Sequence, residues 1–184
     1  MTSCSCFISR VLVLAASSGV GSAAIQIARL FQCRVIATAG SEEKLAKARE
    51  LGADFTIDHY RQDLAAEVKR ITGKRGVDVV VEHVGAATWP KSLESLAAGG
   101  RLVTSGATTG TDVDLDLRYL FVKQWSLLGS FMGAMGELHQ ALKFVFRGQL
   151  RPVIDRVYPL EEIRAAHERL ENKEQFGKVV LKIG

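Results

Sequence analysis

The feature that most restricts how this chain folds is its regular alternation of short apolar runs with segments of helical periodicity. "RVLVLA" (10–15) reads as a buried strand, and Val20, Ala23, Ala24, Ile27 and Phe31 then recur at helical spacing. "RVIATA" (34–39) is a second strand. "SEEKLAKAREL" (41–51) reads as a helix with Ser41 at its N-cap, acids in its first turn and Gly52 placed to end it. The series continues with "FTID" (55–58), a helix near 63–72, the apolar "VDVVVEHV" (77–84) and a helix around 89–97. It closes with "RLVTSG" (101–106), a helix near 116–123 and "SLLGSF" (126–131). Apolar runs joined by helices bury both faces of a parallel sheet. The order predicts an α/β fold, a doubly wound (Rossmann) parallel six-stranded sheet.

After a helix over about 135–147 the pattern changes. "PVIDRVYPL", "LEEIRAAHERLE" and "GKVVLKIG" predict strand, helix and strand, with the strands near 153–158 and 178–183. These extra C-terminal strands follow a complete sheet, so they are expected at its edge or in a different sheet. The expected division is a disordered leader over 1–9, a main domain over 10–150 and a C-terminal unit over 151–184.

Composition narrows the partners. The net charge of the 184 residues is +4, and Lys and Arg alternate with acids, so no nucleic-acid stripe is indicated. No run of about 18 uncharged apolar residues is present, so no membrane partner is expected. Cys4, Cys6 and Cys33 leave an odd thiol and make no disulfide framework, which favours a cytoplasmic location. "SCSC" lacks the further Cys or His of a tetrahedral site, so no metal is expected there.

The first strand ends at Ala15 and the turn reads Ala16-Ser17-Ser18-Gly19-Val20-Gly21. A helix N-terminus offers unpaired N–H groups and partial positive charge to a diphosphate, provided the backbone can come close. Laid on G-x-G-x-x-G, the turn places Ala16, Ser18 and Gly21 at the glycine positions, with Gly19 adding freedom between them. Ser17 and Ser18 offer hydroxyl donors, or are simply small. A dinucleotide-binding role for residues 10–150 follows.

The second strand ends at Ala39-Gly40-Ser41, where an NAD-preferring site usually carries an acid. Small residues leave room for a 2′-phosphate, and Ser41 and Lys44 can donate to it. One charge-assisted hydrogen bond contributes roughly 1.5–3 kcal/mol, enough for tenfold discrimination. NADP(H) is therefore expected over NAD(H); the plainer reading of Lys44 is a solvated surface lysine. Ligands cross the carboxyl ends of the strands at the switch point of such a sheet. That rule aligns Val84 and Gly85, Ser105, Gly106 and Ala107, and Gly129, Ser130 and Phe131 along one crevice, with His59 and Tyr60 near the adenine.

These segments, from "VLVLAASSGVGSAAIQIARLF" through "GVDVVVEHVG", "GGRLVTSGA" and "SLLGS" to "FGKVVLKIG", resemble the medium-chain dehydrogenase/reductase superfamily, especially its quinone oxidoreductase and zinc-type alcohol dehydrogenase-like members. The resemblance covers Arg10 to the C-terminus. It implies hydride transfer between NADP(H) and a quinone, carbonyl, alcohol or activated alkene. It implies that Gly19, Val20 and Gly21 meet the pyrophosphate, Gly40, Ser41 and Lys44 the 2′-phosphate end, and Lys178 the cofactor. The loops 105–107 and 129–131 would border the nicotinamide. A tyrosine of relatives falls on His59 here, with Tyr60 beside it. Members begin with a GroES-like catalytic domain that supplies most zinc ligands where zinc is used. This chain is expected to lack that domain, and zinc with it, and its C-terminal strands would normally complete that domain.

No catalytic residue emerges. His83 and Glu82 are adjacent on a strand and point to opposite faces, so they do not form a pair; His83 is read as lining the crevice. His139 and His167 lie on predicted helices. H-E-x-x-H and G-x-S-x-G are both absent. The aromatics of "RYLFVKQW" and "FVFR" suit core or interface. The apolar edge "WSLLGSF" is expected to pair two subunits as a homodimer. The isolated chain should bind cofactor with little turnover. Rival readings are a non-catalytic NADPH-binding module or sensor, and an enoyl-reductase piece of a larger synthase. A methyltransferase is disfavoured because it wants an acid at the end of the second strand.

Overall fold

The computed structural model describes residues 8–184; Cys4 and Cys6 lie outside them. The elements run β1 (Arg10–Val13), α1 (Gly19–Leu30), β2 (Arg34–Ala39), α2 (Glu42–Glu50), β3 (Phe55–Asp58), α3 (Leu64–Ile71), β4 (Val77–Glu82) and α4 (Trp89–Glu94). Then come β5 (Leu96–Thr104), α5 (Leu117–Val122), β6 (Ser126–Gly129), α6 (Met135–Phe146), β7 (Ile154–Pro159), α7 (Ile163–Glu171) and β8 (Lys178–Lys182). Six parallel strands pair in the order β3-β2-β1-β4-β5-β6. The order reverses between β1 and β4, which is the switch point of a doubly wound sheet.

Strand alternation divides the core into two layers. Leu12 and Leu14 join Ile36, Val80, Leu102 and the α3 residues Leu64 and Val68 on one face. Val11 and Val13 join Val35, Ala37 and the α1 residues Ile25 and Ala28 on the other. Each strand residue therefore meets a different helix layer from its neighbour. Side-chain caps start the helices: Ser18 for α1, Ser41 for α2, Asp63 for α3 and Asp116 for α5.

The Ser9 carbonyl accepts the Arg34 N–H at 2.8 Å, extending the pairing of β1 with β2. One expectation is corrected. The fifth strand starts at Leu96 rather than Arg101, and α4 stops at Glu94. Gly99-Gly100 reads as a break, but a register shift opposite Val77–Val79 absorbs it while the pairing continues.

The C-terminal strands form a separate two-stranded parallel sheet, β7 with β8. Asp155 ties this unit together. Its carboxylate accepts from Arg169 Nε at 2.6 Å and Nη2 at 3.2 Å, and from the Phe176 N–H at 3.1 Å. Phe176 is buried in the layer shared with α1 and α2, so the unit is pinned to the main sheet.

Two outcomes are expected. Arg169 and the Phe176 N–H hold the Asp155 carboxyl below its ordinary pKa of 3.8, against the opposing effect of burial. That stabilisation is therefore present above pH 3.8 and lost as pH falls through the depressed value. Asp155→Ala should remove about 2–4 kcal/mol from the C-terminal unit at pH 7, read by amide hydrogen exchange of β7 and β8, and less at pH 3. Gly21 is the second test, because a Cβ there would overlap the Ala15 carbonyl oxygen at the end of β1. Gly21→Ala should destabilise by about 1–3 kcal/mol in urea unfolding, despite alanine's better helix propensity.

Candidate functional site

The site is built at the carboxyl ends of the strands, where β1 turns into α1. Ala15, at the start of the turn, takes a left-handed backbone (φ 45°). Ser18 is the N-cap, and its Oγ accepts the Gly21 N–H at 2.8 Å. A Cβ on Gly19 would overlap the Lys178 side chain, so the ammonium end of Lys178 arches over the turn. The C-terminal unit reaches it because the Gly177 N–H donates to the Ser17 carbonyl at 2.8 Å. The result is a helix N-terminus with a lysine above it, where unpaired amides and a cation point at one place. Val20 is exposed beside it.

At the end of β2, the ring of Tyr60 and the Nε2 of His59 press against Gly40, and a Cβ there would overlap Tyr60. The two rings meet edge to face at 4.5 Å between centroids. Ser41 Oγ caps α2 by accepting the Lys44 N–H, and its own proton stays free. Lys44 Nζ donates to the Lys173 carbonyl. Partial burial lowers the Lys44 pKa, an effect that Glu43 and Asp155 oppose. His59 is likewise lowered by desolvation, with Lys44 and Lys173 adding repulsion against the opposing pull of Asp58. Lys44, Lys173 and His59 thus gather basic groups around Gly40 and Ser41. Lys173 escaped the sequence reading, since a lysine after a helix carries no signal of its own.

Beyond the switch point, Glu82 is fully buried at the end of β4. Its carboxylate accepts from the Val84 and Gly85 N–H groups at 2.7 and 3.1 Å, from Thr88 Oγ1, and from Ser92 Oγ at 2.6 Å. A buried carboxylate needs such a set, and an acid inside an apolar strand was the signal for it. The amides of Val84 and Gly85 are consumed by this anchor, so these residues can present only their surfaces to a ligand. Val84 in turn receives the 105–110 loop, its carbonyl accepting from Thr109 N and Oγ1 at 2.8 and 2.7 Å. Ser105 N donates to the Glu82 carbonyl at 3.1 Å, Gly106 packs on His83, and Ala107 packs on Gly85. Gly129 ends β6, and Ser130 and Phe131 follow it, with Ser130 N bonded to the Thr104 carbonyl at 2.9 Å and Phe131 exposed. The loops after β1, β4, β5 and β6 therefore stand in a row.

His83 lies across the switch point from the turn, its Nε2 2.9 Å from Ser18 Oγ. Burial lowers its pKa, and the neighbouring Glu82 only partly opposes this. A cleft of about 550 Å³ lined by Gln26, Arg29, Glu50 and Arg151 sits at the far end of α1, away from all of these groups. Among the described residues, no three His, Cys, Asp or Glu side chains converge as a zinc ion would require. No helix among them is long and apolar enough to cross a membrane.

Comparison with known proteins agrees with this architecture. The zinc-binding dehydrogenase family profile matches residues 19–147. Quinone oxidoreductase-like protein 2 of Bos taurus is 33% identical, covering 94% of this chain and 52% of the relative. The 2-haloacrylate reductase of a Burkholderia species is 34% identical, covering 93% and 54% respectively. Among solved structures, an NAD-dependent alcohol dehydrogenase superposes with a TM-score of 0.89 at 47% identity, over 96% of this chain and 51% of that one. A crotonyl-CoA carboxylase/reductase variant in complex with NADP gives 0.89 at 27% identity, over 96% and 50%. The chain spans about half the length of the curated relatives it matches. With its switch-point crevice, its glycine turn and this family match, the chain belongs to the zinc-binding dehydrogenases of the medium-chain dehydrogenase/reductase superfamily.

Proposed function

We propose that this chain is the cofactor-binding portion of an oxidoreductase that moves hydride between NADP(H) and a quinone, a carbonyl or alcohol, or an activated alkene. The observation that carries the reading is the Ser18-capped start of α1, with Lys178 arching over Gly19. A diphosphate fits that cradle: amides, helix dipole and lysine all favour negative charge there, while the missing Cβ of Gly19 leaves room for the lysine and that of Gly21 seats the helix on β1. Bound there, the nicotinamide would supply the hydride; the chain's own residues bind and orient. Gly19, Val20, Gly21 and Lys178 serve the diphosphate, while His59 and Tyr60 flank the adenosine end. Val84, Gly85 and the loops 105–107 and 129–131 border the nicotinamide.

The preference for NADP(H) rests on residues, since one similar structure is described as NAD-dependent and another was solved with NADP. Ala39-Gly40-Ser41 offers no acid to a ribose hydroxyl pair. Lys44, with protons beyond the one given to Lys173, can reach a 2′-phosphate together with Lys173 and His59. The quinone oxidoreductase-like and 2-haloacrylate reductase relatives support a quinone or activated alkene as acceptor. Residues 151–184 would complete the catalytic half of the whole protein, and we place that protein in the cytoplasm. The exposed edge of β6, with Leu128, Phe131 and Met132 on the surface, would pair two subunits.

Calorimetric titration tests the cofactor: NADPH should bind more tightly than NADH, and heat from neither would overturn the reading. Lys44→Glu should weaken NADPH by about tenfold or more and NADH little; equal losses would remove the 2′-phosphate assignment. Following NADPH absorbance with a quinone or small aldehyde should show binding without sustained turnover by this chain alone. In sedimentation it should run as a dimer that Leu128→Lys weakens, and a wild-type monomer would refute the edge pairing.

A further inference from the structure

Among the described residues, Ser18 and His83, 65 residues apart, form the one side-chain hydrogen bond between the turn of α1 and the end of β4. The other nitrogen of the His83 ring, Nδ1, is shut off from solvent and has no hydrogen-bond partner. A buried N–H without an acceptor costs about 1–3 kcal/mol, and orphaned donors are rarer in folded proteins than underused acceptors. Nδ1 therefore holds a lone pair, and burial keeps the ring neutral by disfavouring its charged form. The single ring proton then sits on Nε2 and is donated to Ser18 Oγ.

That oxygen already accepts the Gly21 N–H at 2.8 Å. A hydroxyl has two lone pairs and one proton. With both lone pairs taken by Gly21 and His83, Ser18 has only its proton left, directed away from the two donors. We propose that His83 is a positioning residue which, through Ser18, aims a hydroxyl proton at the diphosphate bound by the turn of α1. This rests on the dinucleotide reading above.

The opposite tautomer would reverse the outcome. Ser18 would give its proton to His83 and face the anion with an oxygen lone pair, which repels it. The ring thus decides whether the cap attracts or repels a phosphate, without touching the ligand itself. The chain from Nε2–H through Oγ–H to a phosphate oxygen also polarises in one direction, which strengthens its last link.

The test uses the full chain and ADP-ribose, a diphosphate with neither nicotinamide nor 2′-phosphate. Nitrogen-15 NMR of the His83 ring should show Nε2 protonated and Nδ1 bare, both free and with ADP-ribose bound. A proton on Nδ1 in the bound protein would overturn the proposal. His83→Leu should weaken ADP-ribose binding by about three- to tenfold, a part of the roughly tenfold or more that one hydrogen bond to a charged group contributes. Ser18→Ala should weaken it as well, and the double variant should be no weaker than Ser18→Ala alone, because His83 acts only through Ser18. Additive losses would show His83 acting by another route and overturn the proposal. Absence of ADP-ribose binding by the wild-type chain would defeat both the dinucleotide reading and this one. Binding with the wrong tautomer would defeat this one alone. The tautomer measurement stands even if His83→Leu fails to fold.

Discussion

The close seating of α1 on the end of β1 is the constraint on which the rest of the structure depends. Gly21 lets the first turn of the helix lie against the Ala15 carbonyl, and Ala15 accepts a left-handed backbone to make the turn. Only in that position do the first amides of α1 open at the switch point, between the strands whose order reverses. An ordinary side chain at Gly21 would push the helix outward, and the same push would carry away the Ser18 cap and the contact with His83. Packing and the opening of the candidate cradle therefore draw on one geometry.

The second support is Glu82, a carboxylate with no exposed surface that gathers donors from the loop after β4 and from α4. A charge in that place would be costly unless every lone pair found a partner. Because it does, the loop after β4 is held rigidly, and the loop after β5 is held through it. His83 lies between this anchored loop and the phosphate turn, which is why one imidazole can connect two strands that are distant in sequence.

The site is also composite. The C-terminal unit, built around Asp155 and Arg169, belongs to a different sheet yet delivers Lys178 over the glycine turn and Lys173 beside Lys44. Of the cations around the candidate site, Lys44 comes from α2, while Lys173 and Lys178 come from this C-terminal unit. The short β7–β8 sheet therefore contributes charge to the site as well as a covering layer, and Phe176 is the apolar residue that pins it in place.

Element order and caps were legible in the sequence because they are local. Apolar periodicity separates strands from helices, Ser18, Ser41 and Asp63 stop the backbone amides from going unpaired, and β2 and β3 fall where the pattern places them. The glycine turn and the acid-free end of β2 were legible for the same reason. The start of β5 was misread because a glycine pair signals a break locally, while a neighbouring strand can hold the chain through it. Sequence alone determined that this chain forms a doubly wound sheet with a phosphate-sized turn after its first strand, since period and turn chemistry act over a few residues. Tertiary structure alone decided that Ser18 meets His83, that the Glu82 and Val84 carbonyls receive the loop after β5, and that Lys173 and Lys178 join the candidate site. Each of those contacts closes a loop of many residues, and no short-range pattern records which distant side chain will fill the space.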